Sequence, residues 1–255
     1  MERSWSEDFF DAEYLKLWGG FVTPERTARE VDGLWSMLGL SPGVTVLDAP
    51  CGFGRIARAL AIRGATVLGV DRSDVQLNEA ECLRGDVNGE ALRYVQHDLR
   101  TPIPSERGFD VALNLYSSIG YGTEGEDLAV LSNLREAVRS GGRVVLESSH
   151  RDGVVLGLAR TQRPAVRLED GTLMVEEPRF DPIRGRMETV WHWSGPRGAG
   201  SKRASLRVYT VSEMVALLEN AGFRLLAVHA GLSTELFRGD PAVLAGRVAL
   251  VAEKP

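Results

Sequence analysis

Two aspartates carry the first chemical information in the chain. Asp48 closes the apolar run Val44-Thr45-Val46-Leu47, Asp71 closes Thr66-Val67-Leu68-Gly69-Val70, and Gly52-Phe53-Gly54 lies between them. An acid ending one strand beside a glycine turn that opens a helix, with a second acid ending the next strand, is a unit suited to holding a nucleoside. The second carboxylate can accept hydrogen bonds from both ribose hydroxyls, and the glycines let the backbone approach the ligand without a Cβ in the way. Gly52-x-Gly54-x-x-Ala57, with Asp71 nineteen positions beyond Gly52, also fits a dinucleotide fingerprint. In a dinucleotide site, however, the first glycine follows the strand almost at once, so that a pyrophosphate reaches the helix N-terminus. Here Ala49-Pro50-Cys51 intervene, and the Asp48 carboxylate repels an anion and favours a cationic ligand.

These residues need a scaffold, and the pattern around them supplies one. Thr23 as cap, Pro24 at the first helical position and Gly39 as stop predict a helix over 24–38 with Val31, Leu34, Trp35 and Leu38 on one face. A strand 44–48, a helix 53–62 stopped by Gly64 and a strand 66–70 make one βαβ unit. A helix 73–83, strands 92–96 and 109–114, a helix 124–139 and a strand 143–148 continue the alternation of a parallel sheet covered on both faces. From about 164 to 209 the pattern changes: Met187, Thr189, Trp191 and Trp193 alternate with Glu188, Val190 and His192, and Gly195-Pro196-Arg197-Gly198-Ala199-Gly200 reads as a turn. Three or four antiparallel strands are expected there. A Thr210-x-x-Glu213 capping box restarts a helix over 211–221, and strands 224–230 and 246–252 finish the chain, whereas the first twenty-odd residues read as a mobile start.

Composition narrows the function. At 255 residues with 44% apolar and 25% charged residues, the chain reads as a globular protein of one elaborated domain or at most two. No stretch fits a membrane span, and the acidic start Glu2-Arg3-Ser4-Trp5-Ser6-Glu7-Asp8 lacks the basic and apolar regions of a signal peptide, so a cytoplasmic location is expected. Cys51 and Cys82 fit a reducing compartment and form neither a disulfide framework nor a metal cluster. A net charge of −5 disfavours nucleic acid as a partner and favours a small molecule.

Four ordered segments, Val46-Leu47-Asp48-Ala49-Pro50-Cys51-Gly52-Phe53-Gly54, Gly69-Val70-Asp71-Arg72-Ser73, Val95-Gln96-His97-Asp98-Leu99 and Phe109-Asp110-Val111-Ala112-Leu113-Asn114, resemble the successive motifs of the class I, Rossmann-like S-adenosylmethionine-dependent methyltransferases. The resemblance spans roughly 25–150 and resumes through Tyr209–Glu213 and Ala221-Gly222-Phe223. It implies an α/β fold with a seven-stranded, mostly parallel sheet whose last strand is reversed, helices on both faces, and an inserted antiparallel β lid. The donor domain is then 1–150 with 210–255, and the lid on the substrate side is 151–209. S-adenosylmethionine, with its ammonium and sulfonium, suits Asp48, and S-adenosylhomocysteine is the product. The segment Asn114-Leu115-Tyr116-Ser117-Ser118 and the insertion are most like small-molecule methyltransferases of bacterial metabolism. The expected partner is therefore a small-molecule acceptor, with neither nucleic acid nor membrane, in a monomer or homodimer.

Carried onto this chain, the resemblance implies a donor site of Asp48, Pro50, Gly52, Gly54, Asp71, Arg72, Asp98, Leu99 and Asn114. Asp98 takes the adenine amino group and Leu99 offers its backbone N–H, although a turn cap explains Asp98 too, and an Asx-turn explains Asn114 nearly as well. Tyr14, Trp18, Phe53 and Tyr116 are aromatics that pack on the adenosine, face the sulfonium, or serve the core. Cys51 reads as loop packing. For the acceptor side the candidates are His150, Tyr121 and Glu147, near the carboxyl edge of the sheet where the insertion begins. None of the histidines has metal-ligand spacing with another His or Cys. An NAD-dependent oxidoreductase and a non-catalytic binding module on the same fold are the competing readings.

Overall fold

The computed structural model describes residues 5–103, 108–160, 165–196, 198–239 and 246–255. In chain order these form α1 (Trp5–Phe9), α2 (Ala12–Gly19), α3 (Pro24–Leu38), β1 (Thr45–Asp48), α4 (Arg55–Ile62), β2 (Thr66–Asp71), α5 (Asp74–Leu83), β3 (Leu92–Gln96), β4 (Phe109–Asn114), α6 (Glu124–Ala137), β5 (Val138–Ser149) and α7 (Arg151–Arg160). There follow β6 (Ala165–Arg167), β7 (Leu173–Asp181), β8 (Arg186–Gly195), β9 (Gly198–Arg207), α8 (Val211–Asn220), β10 (Arg224–Ala230) and β11 (Arg247–Glu253).

Successive residues on a strand point to opposite faces, and here both faces are apolar. Leu47, Leu68, Ala112, Val144 and Leu250 enter one core, beneath α6 and α8. Val46, Val67, Val111, Val145 and Val251 enter the other, beneath α3 and α4. The seven strands lie in the order β10-β11-β5-β4-β1-β2-β3, and β11 runs antiparallel to both of its neighbours, as expected from the resemblance. Strand order reverses between β1 and β4, so the crevice outside their carboxyl ends, where Asp48 and Asn114 stand, is where such sheets bind ligands.

Helix ends follow the local signals. Thr23 accepts from the Arg26 N–H with Pro24 in the first turn, Gly39 closes α3 at φ 57°, and capping boxes start α6 (Thr123, Glu126) and α8 (Thr210, Glu213).

Two regions differ from the sequence expectation. Residues 5–19, read as a mobile start, form α1 and α2, because Trp5, Phe9, Tyr14, Leu17 and Trp18 have a tertiary partner in Met174 and Trp191 of the insertion. Residues 151–160, assigned to the β lid, are the helix α7; a separate four-stranded antiparallel sheet, β6-β7-β8-β9, follows it. The start of the expected antiparallel run at 164 and Arg197 in its turn lie outside the described residues, but Gly195 pairs with Gly198 across that hairpin. No described helix is long and apolar enough to cross a membrane.

Candidate functional site

The floor of the site is the segment joining β1 to α4. Ala49 donates to the Leu113 carbonyl of β4 (2.9 Å) and Cys51 to the Val70 carbonyl of β2 (2.9 Å), so the turn is laced to both neighbouring strands. Gly52 and Gly54 adopt φ 54° and 74°, where a side chain is strained. A Cβ on Gly54 would stand 2.2 Å from the Tyr94 hydroxyl, while one on Gly52 would meet only Gln76 Oε1 at 3.6 Å. Gly54 is therefore demanded by packing and Gly52 by the turn, leaving an open peptide face above it.

Asp71 organises this turn directly. Its two carboxylate oxygens accept from the Gly52 N–H (2.8 Å) and the Ser73 N–H (2.9 Å). Each oxygen keeps a further lone pair for a ligand hydroxyl. Burial raises the carboxyl above the usual range, and the hydrogen bonds oppose this.

Asp48, 2% exposed, stands at the end of β1 with Oδ2 lacking any hydrogen-bond partner. Burial pushes its carboxyl up to about 7, with the Arg55 charge opposing and Asp71 adding to the rise. On the adjacent strand, fully buried Asn114 donates to the Ala49 carbonyl (3.0 Å), fixing its amide so that Oδ1 is left without a partner. Arg55, the first residue of α4, pairs with Glu30 (2.6 Å), contacts Thr27 Oγ1 (3.2 Å) and leaves Nη2 buried without a partner. Its guanidinium lies over the Tyr116 ring, 4.3 Å from the centroid. Cys51 is held well above the ordinary thiol range by burial and by the charges of both aspartates.

Asp98 follows β3 and is engaged by Arg100, which reaches on to Glu126 (2.9 Å); the Arg100 hydrogen bonds hold Asp98 below the usual carboxylate range. The Leu99 carbonyl accepts from Asn133 Nδ2 (2.9 Å), while its side chain packs against the core. Arg72 donates to Ser6 Oγ (3.1 Å), and Ser73 Oγ donates to the Phe10 carbonyl (3.1 Å), so the end of β2 carries the N-terminal segment.

That segment is a roof. Tyr14 stacks on Trp18 (6.1 Å between centroids) and on Trp191 of the lid sheet (5.9 Å), and Phe9 meets Trp191 edge-on (5.2 Å). Burial raises the Tyr14 phenol far above its usual value, with Tyr121 and Asp71 adding to the rise. Trp18 is bound into the aromatic layer between Tyr14, Phe21 and Trp191. Tyr121 meets Trp5 edge-on (5.4 Å), and its phenol is pushed up to about 12 by burial.

The three acceptor-side candidates separate. Glu147, on β5, is buried and engaged on both oxygens by Arg247, and it accepts from the Tyr116 N–H (2.7 Å). This holds Tyr116 and Ser117 at φ 62° and 57°, a conformation costing about 1–3 kcal/mol per non-glycine residue. His150, 1% exposed, accepts from the Gly153 N–H through Nδ1 (3.4 Å) at the start of α7 and packs edge-on against Phe237 (5.4 Å). A cavity of about 810 Å³ opens next to it, between α7, the lid strands and the start of β11, lined by its neighbours Ser149 and Gly153 and not by His150. Its far wall carries Glu177, Arg179, Glu188 and Arg203, with Arg247 at the sheet edge. Tyr121 lies apart from Glu147 and His150, its ring packed against Trp5 and Phe10 of the N-terminal segment.

Sequence reasoning assigned no role to Arg55, Gln76 or Arg247. Arg55 had a signal, standing directly after the glycine turn at the helix start. Arg247 had none, because its partner Glu147 is a hundred positions away.

Residues 46–142 match the family model described as a methyltransferase domain. Among curated proteins, a sterol 24-C-methyltransferase of Yarrowia lipolytica is 29% identical over 121 residues, which is 46% of this chain and 31% of that protein. The chain spans 31–51% of the length of the first curated relatives that it matches. Among solved structures, the CcbJ methyltransferase of Streptomyces caelestis superposes with a TM-score of 0.78 at 19% identity, covering 100% of this chain and 99% of that one. CalS10, an amino pentose methyltransferase of Micromonospora echinaspora, gives 0.69 at 22% identity, covering 95% and 97%. At these identities the likeness is one of fold.

Proposed function

We propose, from the premise that this chain carries a class I, Rossmann-like methyltransferase domain, that it is an S-adenosylmethionine-dependent enzyme methylating a polar small molecule. The observation that carries this reading is the pair of buried aspartates framing one glycine turn, with the Asp48 oxygen aimed at nothing in the protein. Two carboxylates there oppose the pyrophosphate of a dinucleotide and suit a cationic adenosyl ligand. The orphaned oxygens of Asp48 and Asn114 and the open peptide face at Gly52 fit that donor.

Asp71 would hold the ribose diol, and Asp98 and Leu99, with Pro50 and Arg72 beside the two strand ends, would frame the adenosine. Tyr14 closes the site from above, with Trp18 backing it in the aromatic layer. When bound, S-adenosylmethionine supplies a methyl group on a sulfonium, ready for in-line displacement by an acceptor nitrogen, oxygen or carbon. The protein's task is then to align the acceptor and exclude water, an effect of up to about 7–11 kcal/mol. Tyr121, packed beneath the N-terminal aromatics, would shape the end of the site toward them. Glu147 contributes by fixing the Tyr116–Ser117 segment through its backbone contact, and His150 by starting α7 on the cavity wall.

The 810 Å³ cavity is the acceptor pocket in this reading, with 151–209 serving as the acceptor-side module and 1–150 and 210–255 as the donor domain. Its charged wall suits an acceptor of the amino-sugar kind, the class to which the amino pentose of CalS10 belongs, better than a sterol. The test is direct: thermal-shift measurements with S-adenosylhomocysteine and with NAD, and mass spectrometry of any ligand retained on purification. Saturation at 100 times Kd adds about 2.7 kcal/mol of stability. Stabilisation by NAD alone would overturn the assignment.

A further inference from the structure

We propose that Glu188 is the residue by which the 810 Å³ cavity selects its substrate, holding a basic nitrogen of the acceptor on a carboxylate that Ser205 and Arg186 fix in place. This rests on reading that cavity as the acceptor pocket and deepens it by naming the side chain that recognises the acceptor and the group it recognises.

Strand register sets the order of groups on this wall. Arg179 of β7 stands opposite Glu188 of β8, which stands opposite Ser205 of β9, and the next row on the same face is Glu177, Val190 and Arg203. An arginine and a glutamate facing each other across strands attract, yet among the described residues no ion pair joins Arg179 to Glu188. Glu188 is turned to Ser205 instead, whose Oγ donates to Glu188 Oε1 (2.7 Å). Arg186 Nε donates to that same Oγ (2.7 Å), and since a guanidinium can only donate, the Ser205 proton is left to point at Glu188. Arg186 is itself immobilised: Nη1 donates to the Gly122 carbonyl (3.1 Å), and Nη2 is shared among the carbonyls of Ser205 (2.6 Å), Tyr121 (3.2 Å) and Gly120 (3.3 Å).

The result is a carboxylate on the cavity lining, held by one oxygen, whose other oxygen makes no hydrogen bond among the described residues. Two other charges on the lining are already engaged: Glu177 lies 3.6 Å from His192 Nε2, and Arg247 pairs with Glu147. A carboxylate fixed in this way loses little rotamer freedom when a ligand arrives, and its strongest partner is a protonated amine, through a charge-assisted hydrogen bond. A neutral hydroxyl gains less, and an acid is repelled. Arg179 and Arg203 offer the opposite sign on the same wall, so an acidic sugar is the decisive competitor.

The experiment is an NMR titration of the full chain, saturated with S-adenosylhomocysteine, with three sugars of one ring size: D-glucosamine, D-glucose and D-glucuronate, at a slightly acidic pH that keeps the amine protonated. The wild-type protein is expected to bind glucosamine at least about tenfold more tightly than glucose, and glucuronate more weakly than glucosamine. Glu188→Gln is expected to bring glucosamine to within about twofold of glucose, and Ser205→Ala, which lets the carboxylate turn, to give a smaller loss of the preference. A wild-type protein that does not separate glucosamine from glucose, whether it binds both or neither, overturns the assignment, a result that needs no variant to fold. Glucuronate binding at least as tightly as glucosamine overturns it too, as does a glucosamine preference that survives in Glu188→Gln. Wild-type protein that binds no S-adenosylhomocysteine in a separate titration fails the methyltransferase reading itself, and the role of Glu188 in choosing an acceptor falls with it.

Discussion

Replacing Asp48 by Asn should make the ligand-free protein more stable and a poorer donor binder. In the unfolded chain this carboxyl ionises near 3.8, whereas burial in the folded protein holds its proton up to about 7. Between those values the folded state binds a proton that the unfolded state has released, so stability falls as pH rises through the window and the full penalty stands above 7. A shift of about three units at about 1.4 kcal/mol each sets a ceiling of about 4 kcal/mol. The asparagine amide keeps the shape and has no charge to desolvate. At pH 8 the unliganded variant should therefore melt above wild type, by up to about 10 °C for a chain of this size, and the gap should shrink steadily as the pH is lowered toward 4. The same change removes the charge partner of the donor's ammonium, so S-adenosylhomocysteine should bind at least about tenfold more weakly. Scanning fluorimetry from pH 4 to 9, with and without S-adenosylhomocysteine, reads both effects. Matching melting curves at pH 8 together with unaltered affinity would refute the argument, since Asp48 would then be neither a buried charge nor a ligand contact.

Asp71→Ala removes the ribose contacts and the acceptors for the Gly52 and Ser73 N–H groups; it should lower donor affinity by about 10- to 100-fold in calorimetry, and retained wild-type affinity would dismiss the role. Gly54→Ala meets both a positive φ and the Tyr94 hydroxyl, so denaturant titration should show a loss of about 2–4 kcal/mol unless Tyr94 can turn away. Glu147→Gln weakens the Arg247 pair at a buried site; because Arg247 is one-third exposed, a loss of about 2–3 kcal/mol is expected, with a fall in donor-dependent stabilisation as the Tyr116–Ser117 segment relaxes.

The strand and helix order, the glycine turn and both aspartates were legible in the sequence because each is written locally. Apolar runs ending in acids mark β1 and β2, and threonine caps mark α3, α6 and α8. The N-terminal helices were not legible: 5–19 is too short to hold a helix alone, and the aromatic partners that stabilise it lie near residue 191. Helix α7 was missed because Gly153 and Gly157 weaken its propensity. The engaged state of Glu147 depends on Arg247, and the inward turn of His150 on Phe237, pairings that no local pattern encodes.

The aromatic roof has a kinetic consequence. Its rings adhere to Trp191 above, while Ser6 and Phe10 are stitched to Arg72 and Ser73 at the rim of the crevice below, and Lys202 grips Asp11 at 2.7 Å. For a donor entering at this rim, as the proposed function has it, these are the contacts to be displaced. Apolar association strengthens on warming toward ambient temperature, so donor exchange through this layer would meet a stiffer closure there and a slacker one in the cold.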